Sequence, residues 1–216
     1  MKTGLRTFYV LLSCAVLFAG QQDANAQSAD QIIKRIQDKY QAIDALKAEF
    51  TQTMTTPYSE GSETFSGTVV LQGDRYRVET GNQTLVTDGK VTWIYNPADN
   101  QVLINDVVED ETSFSFNDFL FSFDENYTAT SVKSELIGGV KHFRVDLKPR
   151  DDDSFFREAT LWLRDSDDVV TRLQVLDVND TQMTFELTNI ELNPKLDAST
   201  FTFQPPRSAE VVDLRS

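Results

Sequence analysis

A change of hydrophobic period near residue 47 divides the sequence into a helical part and a longer part made of strands. Before it, apolar residues from Ile32 to Ile43 recur at the spacing of one helix face, which predicts a helix from Ser28 to about Leu46. After it, apolar and polar residues alternate, as they do in strands with one buried face. The helix is expected to pack on the sheet that these strands form.

The strand-like runs between residues 48 and 203 are separated by short turns. Counted as ten or eleven strands, they predict a mainly β fold in which one curved antiparallel sheet forms an incomplete, half-open β-barrel. Asp88-Gly89 is the clearest turn, because this dipeptide suits a tight hairpin. Trp93 and Tyr95 in the following strand share one face, which needs an apolar cover. Pro205-Pro206 is expected to end regular structure.

The phenylalanine-rich stretch from Phe114 to Phe123 breaks the strand alternation. We predict a short helix over about Asn117–Phe123, with aromatic side chains on nearly all sides. Such a helix is buried on more than one side or covers an apolar cavity. The alternative is an ordinary plug of the core. With the N-terminal helix, this segment has one place to lie, across the mouth or concave face of the sheet.

The first 26 residues have the features of a secretory signal peptide. Lys2 and Arg6 precede the apolar run Phe8–Gly20, and Ala24-Asn25-Ala26 supplies small residues before a cleavage site. We therefore expect a removed leader, residues 1–26, and one domain, residues 27–216. A transmembrane anchor is the first alternative, although the apolar run is shorter than the ~20 residues that span a bilayer. Lipidation at Cys14 is the second alternative.

Charge and composition exclude several classes of function. The net charge is −14 at pH 7, and it becomes −15 when Lys2, Arg6 and Asp23 leave with the leader. Nucleic acid and anionic membranes are therefore not expected partners, because both require clustered basic residues. Removing the leader also removes the only cysteine, so neither a disulfide nor thiol chemistry is expected.

Catalytic chemistry has little support in the sequence. His142 is the only histidine, and its alternation with Phe143 and Val145 places it on a polar face, where we expect a solvated surface residue. Asp151–Asp153 lacks the spacing of a calcium loop and is interpreted as a solvated loop. No spacing singles out a carboxylate pair. We therefore predict a binding protein that is not an enzyme and needs no metal or cofactor.

The order and spacing of several short motifs resemble the outer-membrane lipoprotein carrier protein (LolA) family over nearly the whole mature chain. The residues that carry the resemblance are Ala48–Gln52, Gly67, Asp74–Arg77, Leu85–Lys90, Trp93–Pro97, Phe201–Phe203, Pro205-Pro206 and Asp213. The resemblance implies an incomplete barrel with helices as a lid over an apolar cavity. It also implies a monomeric periplasmic chaperone that receives acylated lipoproteins from an inner-membrane releasing transporter and delivers them to the outer membrane, where an acceptor is a further expected partner.

The residues expected to serve this function are apolar side chains on the sheet and the lid. The predicted cavity wall consists of Val69, Leu71, Tyr76, Val78, Trp93, Tyr95, Phe119, Leu120, Phe121, Leu161 and Leu163. The predicted lid residues are Ile32, Ile36, Phe116 and Phe123. We expect the helices to repack into the cavity when it holds no lipid, since cargo can leave only if the closed state is stable.

One position departs from the family pattern. Many members have an arginine just before a proline at the turn that reads Gln72-Gly73-Asp74 here, and that arginine latches the lid. Gly73 has no side chain to do so. Either Arg75 or Arg77 substitutes, or the lid closes in another way.

Two other functions are alternatives at this point. A related half-barrel acceptor or envelope-stress sensor would bind lipid while tethered or complexed. An acidic-pair hydrolase is the enzyme alternative.

Overall fold

The computed structural model describes residues 21–107 and 114–215, with side chains from residue 31 onward except those of residues 123 and 124. Most of the expected leader, with Cys14, lies outside the described residues. Cleavage after Ala26 therefore stays a prediction.

Helix α1 spans Gln21–Gln41, so both predicted bounds, Ser28 and Leu46, are wrong. The helix begins earlier because the alanine- and glutamine-containing residues before Ser28 are compatible with a helix. It ends earlier because Leu46 starts a strand that pairs with a neighbour on each side. Strand pairing at Leu46 thus outweighs the helical spacing of the apolar residues before it.

Twelve strands and two short helices follow α1 along the described chain. Their bounds are β1 Leu46–Thr55, β2 Ser62–Gln72, β3 Arg75–Thr80, β4 Thr84–Thr87, β5 Val91–Asn96, β6 Gln101–Asp106, α2 Phe116–Leu120, α3 Phe123–Asn126, β7 Tyr127–Ile137, β8 Val140–Pro149, β9 Phe156–Arg164, β10 Val169–Asp177, β11 Gln182–Leu192 and β12 Glu210–Asp213. The predicted short run at 201–203 is not a strand. β12 forms instead, so the expectation that Pro205-Pro206 ends regular structure is wrong.

All twelve strands belong to one sheet in the order β12-β6-β5-β4-β3-β2-β1-β11-β10-β9-β8-β7. β1 lies between two meanders, β2–β6 and β7–β11. Every neighbouring pair is antiparallel except β12, which pairs parallel with β6. The order is linear, with β12 and β7 at the two ends, and this confirms the predicted open curved sheet.

The two faces of the sheet have different covers. Helix α1 and the segment around α2 pack on one face, here called the inner face, and contribute to the main hydrophobic core. The C-terminal segment around Thr200–Phe203 lies against the other face, here called the outer face, where it contacts Arg77 and Tyr95 and where Phe201 is buried. Gly67 in β2 allows a close approach, because a Cβ there would collide with the carbonyl oxygen of Glu79 and lie 3.0 Å from the Phe50 ring.

Candidate functional site

The inner face is apolar across the sheet, from β6 to β7. Residues directly opposite one another in antiparallel strands point to the same face. On the β1–β6 side the opposed residues are Ala48, Val69, Val78, Leu85, Ile94 and Leu103. On the β11–β7 side they are Phe185, Leu173, Leu161, Val145 and Val132. A long apolar chain laid across the strands would therefore meet hydrocarbon at each step.

Both helices place apolar side chains on this face. From α1 the buried residues are Ile32, Ile36, Tyr40 and Ile43, and from α2 they are Phe116, Phe119 and Leu120. The predicted lid residues Ile32, Ile36 and Phe116 thus lie on the inner face. The side chain of Phe123, the fourth predicted lid residue, lies outside the described residues.

Aromatic rings connect the segment around α2 to the sheet. Phe114 stacks on Phe185 of β11 with ring centroids 4.1 Å apart, and on Phe119 at 5.4 Å. Phe116 meets Phe50 of β1 edge to face at 5.8 Å. Phe119 packs 5.2 Å from the ring of Tyr127. This ring cluster occupies the centre of the inner face.

Most of the predicted cavity wall lies together in the main core. Val69, Leu71, Phe119, Leu120, Leu161 and Leu163 are at most 2% exposed, while Tyr76, Val78 and Phe121 are partly buried and pack against them. This space is occupied by the protein's own side chains, so an open cavity at these residues is not what the structure contains. The physical reason is that an empty apolar cavity loses the dispersion contacts of its lining, which the aromatic rings supply.

Trp93 and Tyr95 do not join this group. Trp93 is opposite Val86 and Ile104, which places it on the outer face, and the Tyr95 ring lies 5.8 Å from that of Phe203. The prediction that these two side chains line the lipid site is therefore wrong. Both faces of β4–β6 carry alternating apolar residues, so the pattern alone could not choose between them. Ile94, between Trp93 and Tyr95, points inward, as does Thr92 two residues before it.

Arg75 and Arg77 do not latch the lid. The Arg75 guanidinium lies 4.9 Å from the Phe201 ring centroid. Arg77 bonds Glu79 and donates to the Thr200 carbonyl oxygen at 3.4 Å. Their contacts are with the C-terminal segment on the outer face, because both arginines alternate with the inward-pointing Tyr76 and Val78.

Other polar groups tie the helices to the sheet, and sequence reasoning did not identify them. The side-chain amide of Asn117 in α2 donates to the carbonyl oxygen of Gly73 at 2.7 Å. Arg35 of α1 binds the carboxylate of Asp168 at 2.5 and 3.1 Å. The Asn117 contact falls at the Gln72-Gly73-Asp74 turn, where the family resemblance implied a lid contact. These partners are 44 and 133 positions apart in the chain, so no local pattern could have joined them.

Tyr40 connects α1 to the sheet through a buried hydrogen bond. Its hydroxyl oxygen accepts a hydrogen bond from the backbone N–H of Val170 at 2.9 Å. Burial raises the pKa of Tyr40, against the opposing effect of that hydrogen bond. Burial likewise raises the pKa of Tyr127, beside Phe119, to about 12, although a hydrogen bond with Ser154 lowers it. Both phenols are therefore neutral at physiological pH.

The groups considered for catalysis are placed in structural roles or in solvent. His142 is 5% exposed, and its Nδ1 lies 2.9 Å from the Val140 carbonyl oxygen. The predicted solvated histidine is thus wrong, because β7 and β9 flank it on both sides. Asp151–Asp153 is exposed, as predicted. Among the described residues, no group of three or more His, Cys, Asp or Glu side chains is arranged to hold a metal ion.

Two clefts open to the surface. One, of about 320 Å³, lies between α2–α3 and the β8–β9 loop and is lined in part by the core residues Phe119, Tyr127 and Phe156. The other, of about 430 Å³, lies between the turns at Gly73 and Gly89. No helix in the described part of the chain has the length and apolar character needed to span a bilayer.

The sequence is similar to outer-membrane lipoprotein carrier proteins. The family described as "Outer membrane lipoprotein carrier protein LolA" matches residues 41–204. An outer-membrane lipoprotein carrier protein from Azotobacter vinelandii is 28% identical over 215 residues, covering 96% of this chain and 99% of the relative. One from Legionella pneumophila (strain Corby) is 31% identical over 181 residues, covering 82% and 87%.

The fold is similar to that of a solved structure. An uncharacterized conserved protein from Thermus thermophilus has a TM-score of 0.54 at 16% identity, and the match covers 87% of this chain and 99% of that chain. This likeness concerns the arrangement of the backbone alone.

Proposed function

The chain belongs to the family of outer membrane lipoprotein carrier proteins named LolA, and from this premise we propose that it carries lipoproteins through the periplasm. It shields their acyl chains on the inner face and moves them from the inner to the outer membrane. It acts as a monomer and catalyses no reaction. Its partners are acylated lipoproteins, a releasing transporter in the inner membrane and an acceptor at the outer membrane.

The observation that carries this proposal is the apolar inner face, covered at its centre by rings from the protein's own chain. Phe114 and Phe116 contact Phe185 and Phe50 on the sheet without polar groups between them. An acyl chain can replace such rings without leaving any donor or acceptor unpaired. The covered state is then the empty carrier.

Two opposing free energies govern lipid binding to this face. Each CH₂ group of an acyl chain taken out of water contributes about 0.8 kcal/mol. Displacing the rings costs their own burial, together with about 0.5–1.5 kcal/mol for each aromatic pair. Because lipid gain and ring loss oppose each other, the net affinity is smaller than burial of the acyl chains alone would give.

The test is binding of a synthetic fluorescent peptide with a triacylated N-terminal cysteine, measured as a soluble complex by size-exclusion chromatography and anisotropy. The same peptide without acyl chains is the ligand control. We expect a one-to-one complex with the acylated peptide alone.

Two isoleucines test which face binds. Ile94 points inward and Ile104 outward, both are partly buried, and they lie on neighbouring strands. Ile94→Gln should weaken binding about tenfold, the equivalent of 1.4 kcal/mol, while Ile104→Gln should change it little. Failure of the unmodified protein to form a complex would reject the carrier function, and equal losses in both variants would reject the inner face as its site.

A further inference from the structure

The hairpin turn between β7 and β8 carries apolar side chains that the main core does not bury. Leu136 is 72% exposed and Val140 is 45% exposed, with Ile137, Gly138 and Gly139 between them. We propose that these five residues, here called the apolar tip, form a docking site that inserts into the surface of a zwitterionic phospholipid bilayer. The tip lies at one end of the edge strand, apart from the ring cluster at the centre of the inner face.

The apolar side chains of the tip point to both faces of the hairpin. Leu136 is directly opposite Lys141, and Ile137 is directly opposite Val140. Leu136 therefore points to one face, while Ile137 and Val140 point to the other. A hairpin that packs on a core through one face usually has polar residues on its other face. Apolar residues on both faces suit a medium that surrounds the hairpin, and hydrocarbon does so because its contact is non-directional.

The tip stands clear of the neighbouring strand. Pairing of β8 with β9 begins at His142, so the tip continues past the end of that ladder. Apart from chain neighbours, no atom of the described residues lies within 4 Å of a Cβ built on Gly138 or Gly139. Both glycines have positive φ, 57° and 81°, as a tight primed hairpin turn requires. The tip is therefore open to contact from outside the protein.

The charged residues on either side of the tip are held by partners on the sheet. The indole N–H of Trp162 on β9 donates a hydrogen bond to the Glu135 carboxylate. On the other side, the Lys141 ammonium lies 3.2 Å from the Asp165 carboxylate and 4.9 Å from the centroid of the Phe143 ring. The tip itself has no charged residue. It can therefore enter a bilayer surface without the cost of carrying a charge into hydrocarbon.

The β9–β10 turn beside the tip is acidic, but its charge is balanced. Each of its three carboxylates lies within 3.2 Å of a cation, in the pairs Lys141–Asp165, Arg164–Asp167 and Arg35–Asp168. The turn therefore adds little local repulsion to an approaching lipid surface. The whole chain has a net charge of −14, which opposes binding to an anionic membrane. The surface that fits is zwitterionic, with apolar contact as the attraction.

A second copy of the chain fits this region less well than a bilayer does. β7 is at the end of the sheet, and an exposed strand edge can pair with another copy. The edge carries the exposed Lys133, and its register with β8 shifts between Ala129 and Ser131. A charge and an irregular register both oppose edge-to-edge pairing. A protein partner would also need apolar pockets for both faces of the tip.

Vesicles of phosphatidylcholine test the proposal, with the secreted protein carrying Cys14→Ser and no acylated peptide present. An environment-sensitive fluorophore is attached at Val140→Cys or, as the matched control, at Val178→Cys. Val178 is 47% exposed and lies at the β10–β11 turn, at the opposite end of the strands. We expect vesicles to brighten the label at position 140 and shift its emission to the blue, with little change at position 178.

Flotation of unlabelled variants with the vesicles measures the strength of docking. Leu136→Asp should weaken vesicle binding at least about tenfold, the equivalent of 1.4 kcal/mol, and Val140→Asp should weaken it several-fold. Val178→Asp should bind as the unmodified protein does. Thermal unfolding of each variant shows that the fold is kept. No vesicle binding by the unmodified protein, or an equal loss in Val178→Asp, would overturn the proposal.

The triacylated peptide separates this docking site from the carrier function. Leu136→Asp should bind that peptide as the unmodified protein does, because Leu136 is outside the ring cluster and the opposed residues of the inner face. Loss of peptide binding in Leu136→Asp would contradict a site used only for docking. Capture of an envelope protein through Leu136, with vesicles left unbound, would assign the tip to a protein partner and reject the bilayer.

Discussion

Helix α1 and the aromatic segment, residues 114–126, cover the same sheet face with comparable burial, yet the contacts that hold them differ in kind. Ile36 of α1 and Phe119 of α2 are each 1% exposed. Helix α1 combines this burial with directional contacts from Arg35 and Tyr40 to the β9–β10 region. The aromatic segment combines it with stacked and edge-to-face rings, such as Phe114 on Phe185, and with polar contacts of its own, such as that of Asn117 with Gly73. Equal burial in a static structure is therefore compatible with different capacities to move.

For opening, the kind of contact that holds an element matters more than the area that it buries. A buried hydrogen bond has one geometry, and its loss leaves two unsatisfied groups. Ring packing has many alternatives, and an acyl chain is one of them. A carrier needs both kinds, because a site without a fixed wall would lose its shape when the cover leaves.

Truncating a buried side chain in each element should give the largest difference between them in lost stability. Ile36→Ala should lower the free energy of unfolding by roughly 2–5 kcal/mol, as for other buried aliphatic side chains. Phe119→Ala would cost roughly 3–5 kcal/mol in a fully coupled core. We expect a smaller loss in global stability for Phe119→Ala. If the aromatic segment opens while the rest of the protein stays folded, the substitution can lower the global free energy of unfolding by no more than the free energy of opening that segment. Chemical denaturation of both variants measures this difference.

Hydrogen exchange provides the control for that comparison. In Phe119→Ala the amides of residues 117–122 should lose protection, while those of β9 and β10 should keep it. A full loss of global stability with uniform loss of protection would mean that the aromatic segment is an ordinary part of the core.

Removal of single polar ties should give a smaller effect of the same kind. Tyr40→Phe removes one hydroxyl and keeps the ring, and Asn117→Asp replaces the amide donor of the Gly73 contact. We expect Asn117→Asp to speed exchange in the aromatic segment and to tighten binding of the triacylated peptide several-fold, about 1 kcal/mol. Tyr40→Phe should speed exchange in α1 and should not tighten binding.

Tyr95→Phe is the matched control, since Tyr95 lies on the outer face and its hydroxyl bonds Asn100. It should leave both exchange and lipid binding unchanged. If Tyr40→Phe tightened binding as much as Asn117→Asp, both elements would have to open together.

Much of the sheet could be predicted from local sequence. The strand Arg75–Thr80 is found at its predicted bounds, because alternation of apolar and charged residues continues through it to its end. β12 was missed because Glu210–Asp213 is four residues long, follows two prolines and forms only by pairing with β6. The helix end at Gln41 was missed for the same reason, since strand pairing of Leu46 is a tertiary effect.

The sequence indicated which residues are buried at the site better than it indicated the direction in which each side chain points. Val69, Leu161 and Phe119 were found in the core because large apolar residues in alternating or aromatic runs are buried. The orientation of Trp93 was not predictable, because β5 has apolar residues on both faces and the C-terminal segment that covers the outer face is distant in sequence. The ties of Arg35, Tyr40 and Asn117 are also long-range, and nothing near them in the chain indicates their partners.

The most direct test of the central claim is a pair of distances measured by electron spin resonance with and without the triacylated peptide. Labels at Lys34 in α1 and at Glu125 in α3 are each paired with a label at Thr188 on β11, and all three positions are exposed. Peptide binding should lengthen the Glu125–Thr188 distance and leave the Lys34–Thr188 distance unchanged. Movement of Lys34 with a stationary Glu125, or no change in either distance at saturating peptide, would contradict it.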